Sequence, residues 1–208
     1  MKTVDYLREI YGYSVPIFLK DIRIGRKSKV SIRKDLSRAV EKGEIVRDGQ
    51  GVYYFDPKNG LPTTLSFTDI LIYRFVRDEL TLPGAALDVY GYFTGEAFLN
   101  SLGISQQVPA VYEVVTNNTS CKRTFTYGGY KAILRKSKVT IISMNYKILQ
   151  FLDAFYYLNQ DEIRDNRELL KNYISKNLSR NDYLKYIDLY PNRIRNAILV
   201  GGLLDAFG

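Results

Sequence analysis

Apolar residues recur at helical spacing through the first 42 residues, and glycines interrupt the pattern. Apolar positions at 4, 7, 10 and 11 share one face and predict a helix over 2–11 that Gly12 ends. The short amphipathic run 16–22 predicts a second helix. Positions 32, 36, 39 and 40 form the inner face of a longer helix over 29–42, which Ser28 caps and Gly43 ends.

Residues 44–55 have the pattern of a β-hairpin. The tip, Asp48-Gly49-Gln50-Gly51, supplies residues that tolerate the positive φ of a tight turn. We expect Tyr53, Tyr54 and Phe55 to close a small core. Two helices joined by a tight turn and followed by a hairpin form a winged helix-turn-helix, whose second helix enters the DNA major groove. We therefore predict a DNA-binding domain over residues 1–57.

The segment 57–65 contains two prolines and a glycine and predicts a domain boundary. Beyond it we expect a C-terminal domain over 65–208. Two helices come first: one over 66–80 with Ser66 as cap and 82–84 as terminator, and one over 94–103 with Thr94 as cap. A strand over 108–116, a hairpin over 123–134 and a strand over 139–144 follow. From residue 145 the chain is helical, with breaks near 159–160, 177–179 and 190–191 and with Asp161 and Ser179 as candidate caps. The fold class predicted is α+β, a winged helix-turn-helix followed by a small antiparallel sheet with a helix bundle.

Positive charge is concentrated at the predicted turn and third helix. Residues 20–34 contain seven Lys and Arg side chains and a single acidic one, Asp21. Clustered cations bind DNA phosphates by releasing condensed counterions, although a merely solvated face has the same composition. The candidate DNA-binding residues are Arg26, Lys27, Lys29, Ser31, Arg33, Lys34, Arg38 and Arg47. For Arg47 an ordinary exposed hairpin is an equal alternative.

A second basic segment spans residues 121–150, which contain seven cations and no acid. We predict a second basic surface that extends the DNA footprint or contacts a partner, and scattered solvent exposure is the alternative. Its candidate residues are Lys122, Arg123, Lys131, Arg135, Lys136 and Lys138.

The composition of the 208 residues disfavours an enzyme. Histidine, the commonest general base and metal ligand, is absent, and the single cysteine, Cys121, allows no intramolecular disulfide. Neither Gly128-Gly129 nor Gly201-Gly202 has the spacing of a phosphate loop, and Asp161, Glu162 and Asp165 fit surface ion pairs better than two-metal chemistry. We expect no cofactor, no metal site, no membrane span and a cytoplasmic location.

Residues 91–109 carry a familiar pattern. Tyr92-Phe93-Thr94-Gly95, an Ala-Phe-Leu run, Leu102-Gly103-Ile104 and Gln107-Val108-Pro109 follow one another before a strand that ends at Thr116. This pattern resembles the AbiE-type antitoxin family of bacterial abortive-infection systems, and residues 149–154 look like that family's helix after the sheet. Gln106 departs from the Thr or Ser that is more usual there.

The resemblance implies two activities. The family's winged helix binds inverted repeats in its own promoter and represses the operon, which implies two copies side by side on double-stranded DNA. The family also counters a toxin with a nucleotidyltransferase fold, usually without a stable complex. The alternatives are a solitary winged-helix regulator, a protein-interaction module, and a nuclease or nucleotide-modifying enzyme that the winged helix recruits.

Overall fold

The computed structural model describes residues 2–57, 64–78 and 88–208. Residues 2–57 and 64–74 belong to one compact unit, and residues 75–78 and 88–208 belong to another. The predicted boundary at 57–65 lies mostly outside the described residues, and so does the predicted helix terminator at 82–84. Both units mix helices with small sheets, so the protein is α+β.

The first unit contains a three-stranded antiparallel sheet with two helices packed on it. Its elements are α1 (Thr3–Tyr11), β1 (Ile17–Phe18), α2 (Lys29–Glu41), β2 (Val46–Gly49), β3 (Val52–Tyr54) and α3 (Phe67–Leu71). The strand order is β1-β3-β2. The buried core joins Leu7 of α1, Ile32 and Leu36 of α2, and Tyr53 and Phe55 at the end of the hairpin.

The predicted helix over 16–22 is wrong. Ile17 pairs with Tyr53 and Phe18 with Val52, so this run supplies the third strand of the sheet. A turn follows over residues 19–21, in which the Asp21 amide donates to the Phe18 carbonyl at 2.9 Å. No α-helix lies between β1 and α2, a stretch that the structure describes in full. Pairing with a distant hairpin overrides the amphipathic pattern, since a run of seven residues is too short to stabilise a helix alone.

The second unit is built on a four-stranded sheet of mixed direction. The four strands of this sheet are β6 (Gly91–Thr94), β7 (Tyr112–Thr116), β8 (Arg123–Tyr127) and β9 (Tyr130–Lys136), with α4 (Glu96–Ser101) between β6 and β7. Two short strands, β4 (Arg77–Asp78) and β5 (Asp88–Val89), precede them in the chain. The sheet order is β6-β7-β9-β8, and β4 pairs with β5. β7 and β9 run parallel, so the prediction of a purely antiparallel sheet is wrong.

Helices pack on this sheet through a large apolar core. They are α5 (Tyr146–Ala154), α6 (Gln160–Asp165), α7 (Arg167–Asn177), α8 (Arg180–Tyr186) and α9 (Asn192–Val200), with 3-10 turns at Ile187–Leu189 and Leu204–Ala206. Phe151, Leu170 and Ile194 are fully buried there. Ser179 caps α8 as predicted, whereas Asn159, and not Asp161, caps α6.

Three other predicted elements differ. Ser66 caps α3 as predicted, but the α-helix ends at Leu71 and continues as a π-helical turn, Ile72–Val76, before β4. Thr94 is the last residue of β6 rather than a cap, and Gly95, with φ of 62°, occupies the cap position before α4. Residues 139–144 form no strand, because the Asn117 side chain hydrogen-bonds both backbone groups of Ile141. Its amide nitrogen donates to the Ile141 carbonyl at 2.8 Å, and its oxygen accepts the Ile141 N–H at 2.9 Å.

Candidate nucleic-acid interface

Helix α2 has the start, end and buried face that the sequence predicts. The Ser28 hydroxyl accepts the Ser31 amide, and Gly43, at φ of 67°, turns the chain after the helix. Ile32, Leu36 and Ala39 are at most 2% exposed. The opposite side of α2 is therefore held outward by a tightly packed inner face.

A groove of about 550 Å³ lies between α2 and the β2–β3 hairpin. Five cations line it: Lys20, Lys29, Arg33, Arg47 and Arg74. Phe18, Leu19, Ser37, Gln50, Gly51 and Tyr53 complete the lining, which contains no acid. Such a concentration of one charge sign in a concave surface focuses the electrostatic potential and attracts an anionic ligand.

The groove's cations come from different parts of the first unit. Lys29 and Arg33 are one turn apart on α2, and the Lys29 ammonium donates to the Lys20 carbonyl at 3.2 Å. Arg47 lies on β2, where its Nε donates to the Gly49 carbonyl at 3.3 Å. The Arg74 guanidinium lies 5.4 Å from the centre of the Phe18 ring. Arg33 and Arg47 are both exposed, so a ligand in the groove can reach them.

The other side of α2 faces α1 and carries a mixed charge. A groove of about 390 Å³ is lined there by Lys2, Thr3, Val4, Lys27, Asp35, Arg38, Ala39, Lys42 and Glu44. Lys27 contacts Asp35 at 2.9 Å and Thr3 at 2.8 Å. Hydrogen bonds from Thr3 and then from Lys27 lower the pKa of Asp35. The charge of Lys27 is thus largely neutralised within the protein, whereas Arg38 is exposed.

The candidate DNA-binding residues therefore divide into groups around α2. Lys29, Arg33 and Arg47 line the hairpin groove, and Lys27 and Arg38 line the α1 groove. Lys34 is exposed on the ridge between the two, Ser31 is half-buried, and Arg26 is exposed in the turn before the helix. The sequence does not predict that Gln50 and Arg74 share the groove, because nothing in its local pattern places residue 74 beside residue 18.

The residues of the predicted second basic surface do not form one free cationic patch. Arg135 donates to Glu113 at 3.2 Å and to the Tyr157 hydroxyl at 2.7 Å. Tyr157 in turn donates to Glu113 at 2.9 Å, and burial together with this bond raises its pKa to about 12. Arg135 is thereby held in a neutral cluster.

Lys138 is also held within the second unit. Its ammonium donates to the Tyr156 hydroxyl at 2.9 Å, lies 3.4 Å from the centre of the Tyr190 ring and is 3.8 Å from the Asp153 carboxylate. Asp153 also accepts the Tyr92 hydroxyl at 2.9 Å. Burial raises the pKa of Asp153, because the Tyr92 hydrogen bond and the charge of Lys138 offset only part of the lost hydration.

The remaining members of that set lie on β8 and β9 or just before them. Arg123 lies over the Phe75 ring and donates to Thr119 at 3.2 Å. Lys122, Lys131 and Lys136 are exposed. Any second basic surface therefore depends on these exposed lysines.

In comparisons with known proteins, no protein-family model matches the chain, and no curated protein matches it either. Among the described residues, no helix is long and apolar enough to cross a bilayer. The same residues contain no cluster of three acidic or cysteine side chains that could hold a metal ion.

Proposed function

We propose that the protein binds double-stranded DNA through α2, with the β2–β3 hairpin as a wing. The element order α1-β1-α2-β2-β3 and the sheet order β1-β3-β2 support a winged helix in which a turn replaces the first helix of the helix-turn-helix. The observation that carries the proposal is the groove between α2 and the hairpin, with five cations and no acid in its lining.

The chemistry of that groove suits a DNA backbone. Phosphates are spaced regularly along the duplex, and several cations on one concave surface neutralise several of them together. An α-helix fits the major groove, which is about 12 Å wide, with a phosphate backbone on either side. Arg33 and Arg47 on the hairpin side and Arg38 on the α1 side are exposed where these two backbones would run.

We further propose that the DNA bound is the promoter of the protein's own operon and that the protein is an antitoxin. The resemblance of residues 91–109 to AbiE-type antitoxins supports this second step. In this proposal two copies occupy an inverted repeat and repress transcription. The same protein counters a nucleotidyltransferase-like toxin encoded beside it without forming a stable complex.

Duplex selection followed by affinity measurement tests the DNA-binding step. The full chain is used to enrich a random duplex library, and fluorescence anisotropy then compares the enriched duplex with a scrambled one. We expect a clear preference for the enriched duplex, which Lys34→Ala and Arg38→Ala weaken without changing the urea unfolding curve. Equal binding of the enriched and scrambled duplexes would contradict sequence-specific recognition.

A growth assay tests the antitoxin step. The reading frame that follows this one is expressed alone and together with the full chain. We expect growth arrest in the first case and rescue in the second. If the neighbouring frame is harmless, or if co-expression gives no rescue, the antitoxin step of the proposal is wrong and the DNA-binding step is unaffected.

A further inference from the structure

The ridge of α2 that lies farthest from its core is polar except at one position. At 100° per residue, Val30, Lys34, Ser37 and Glu41 lie opposite Ile32, Leu36 and Ala39. All four ridge residues are exposed, and the exposed fraction of Val30 is 60%. Val30 is therefore an outward-facing apolar side chain in the first turn of the helix.

Val30 does not help α2 to fold. Its side chain is not part of the first unit's core, and valine is a poorer helix former than Lys34 and Glu41 on the same ridge. Single exposed apolar residues are common and need no special explanation on most surfaces. Here the position matters, because Val30 lies on the ridge that separates the cationic hairpin groove from the α1 groove.

We propose that Val30 packs against the C5-methyl group of a thymine in the major groove, which makes a T·A pair part of the recognition sequence. This inference rests on the proposed DNA binding by α2. Residues near the N-terminus of a recognition helix contact base edges. The thymine methyl is the apolar group that base pairs present in the major groove, and an aliphatic side chain is its natural partner.

The position of Lys34 restricts where that thymine lies. Lys34 is four residues after Val30 on the same ridge, which is about 6 Å along the helix axis. Base pairs are about 3.4 Å apart, so Lys34 reaches a base or phosphate within about two base pairs of the thymine. A lysine favours the acceptor atoms of guanine, so we expect a thymine and a guanine close together in each half of the site.

Removal of one methyl group from the DNA tests the contact directly. In the enriched duplex each thymine is replaced in turn by deoxyuridine, which lacks only the C5-methyl. The affinities of the wild type, Val30→Ala and Val108→Ala are measured by anisotropy. Val108→Ala is the matched control, because Val108 is an 82% exposed valine in the second unit.

We expect one thymine per bound copy whose replacement by deoxyuridine lowers the affinity of the wild type and of Val108→Ala about fourfold. This factor corresponds to the free energy of burying one methyl group. Val30→Ala, whose shorter side chain covers less of the methyl group, should lose most of this discrimination between the thymine and deoxyuridine duplexes at that position. Neither substitution should lower the stability in urea, because neither valine is buried and alanine is a better helix former than valine at position 30.

Two different results would overturn the inference, and they are distinguishable. If the wild type binds an enriched duplex but Val30→Ala discriminates thymine from deoxyuridine as strongly as the wild type does at each position, then another residue reads the methyl group. If the wild type enriches no duplex at all, the proposed DNA binding fails and the thymine contact fails with it.

Discussion

Replacement of Arg33 and Arg47 together by glutamine removes one exposed cation from each wall of the hairpin groove. Removing one phosphate-binding cation lowers the slope of log affinity against log salt by about 0.9, so the slope of the double variant should be smaller by about 1.8. When the salt concentration rises fourfold, the wild type should therefore weaken about 12-fold more than the variant. Glutamine keeps much of the length and polarity of the side chain, so the fold is preserved.

The assay is fluorescence anisotropy with the enriched duplex at a series of salt concentrations. The control is Lys176→Gln with Lys185→Gln, which lowers the net charge by the same amount at exposed positions of α7 and α8. We expect the control to keep the wild-type slope. If the two double variants lower the slope equally, overall charge drives binding; if neither does, the groove does not hold phosphates.

Three further changes test the packing, the buried carboxylate and the second basic segment. Leu36→Ala truncates a fully buried side chain of the first unit and should lower its unfolding free energy by about 2–5 kcal/mol in urea denaturation, whereas a loss below about 1 kcal/mol would contradict the assigned core face. Asp153 has a raised pKa, so its native form binds a proton more readily than the unfolded chain; the stability of the wild type relative to Asp153→Asn should fall as the pH rises from 3.8 to the raised pKa, and a flat difference would show that the carboxyl is not perturbed. If a second basic surface exists, reversal of Lys122, Lys131 and Lys136 to glutamate should weaken DNA binding or toxin rescue while urea unfolding is unchanged, and no change in either activity would remove that hypothesis.

The sequence alone determines α2 and the hairpin that follows it. The Ser28 cap, the inward face of Ile32 and Leu36, and the turn at Gly43 depend on residues within a few positions of one another. Helical periodicity and capping act over that range, so they can be read from the chain directly. The exposure of Arg33, Lys34 and Arg38 follows from the same periodicity.

Contacts between residues far apart in the sequence determine the other parts of the fold and of the candidate site. Ile17 and Phe18 of the run 16–22 form a strand, because the hairpin about 35 residues later offers them a pairing edge. Arg74 lines the groove although local spacing does not place it beside Phe18. Arg135 is paired with Glu113 and bonded to Tyr157, and Lys138 lies beside Asp153, again through contacts between residues far apart in the chain. A cation's availability depends on which acid or aromatic ring the fold brings to it, so the tertiary structure, and not the count of basic residues, determines where the free positive charge lies.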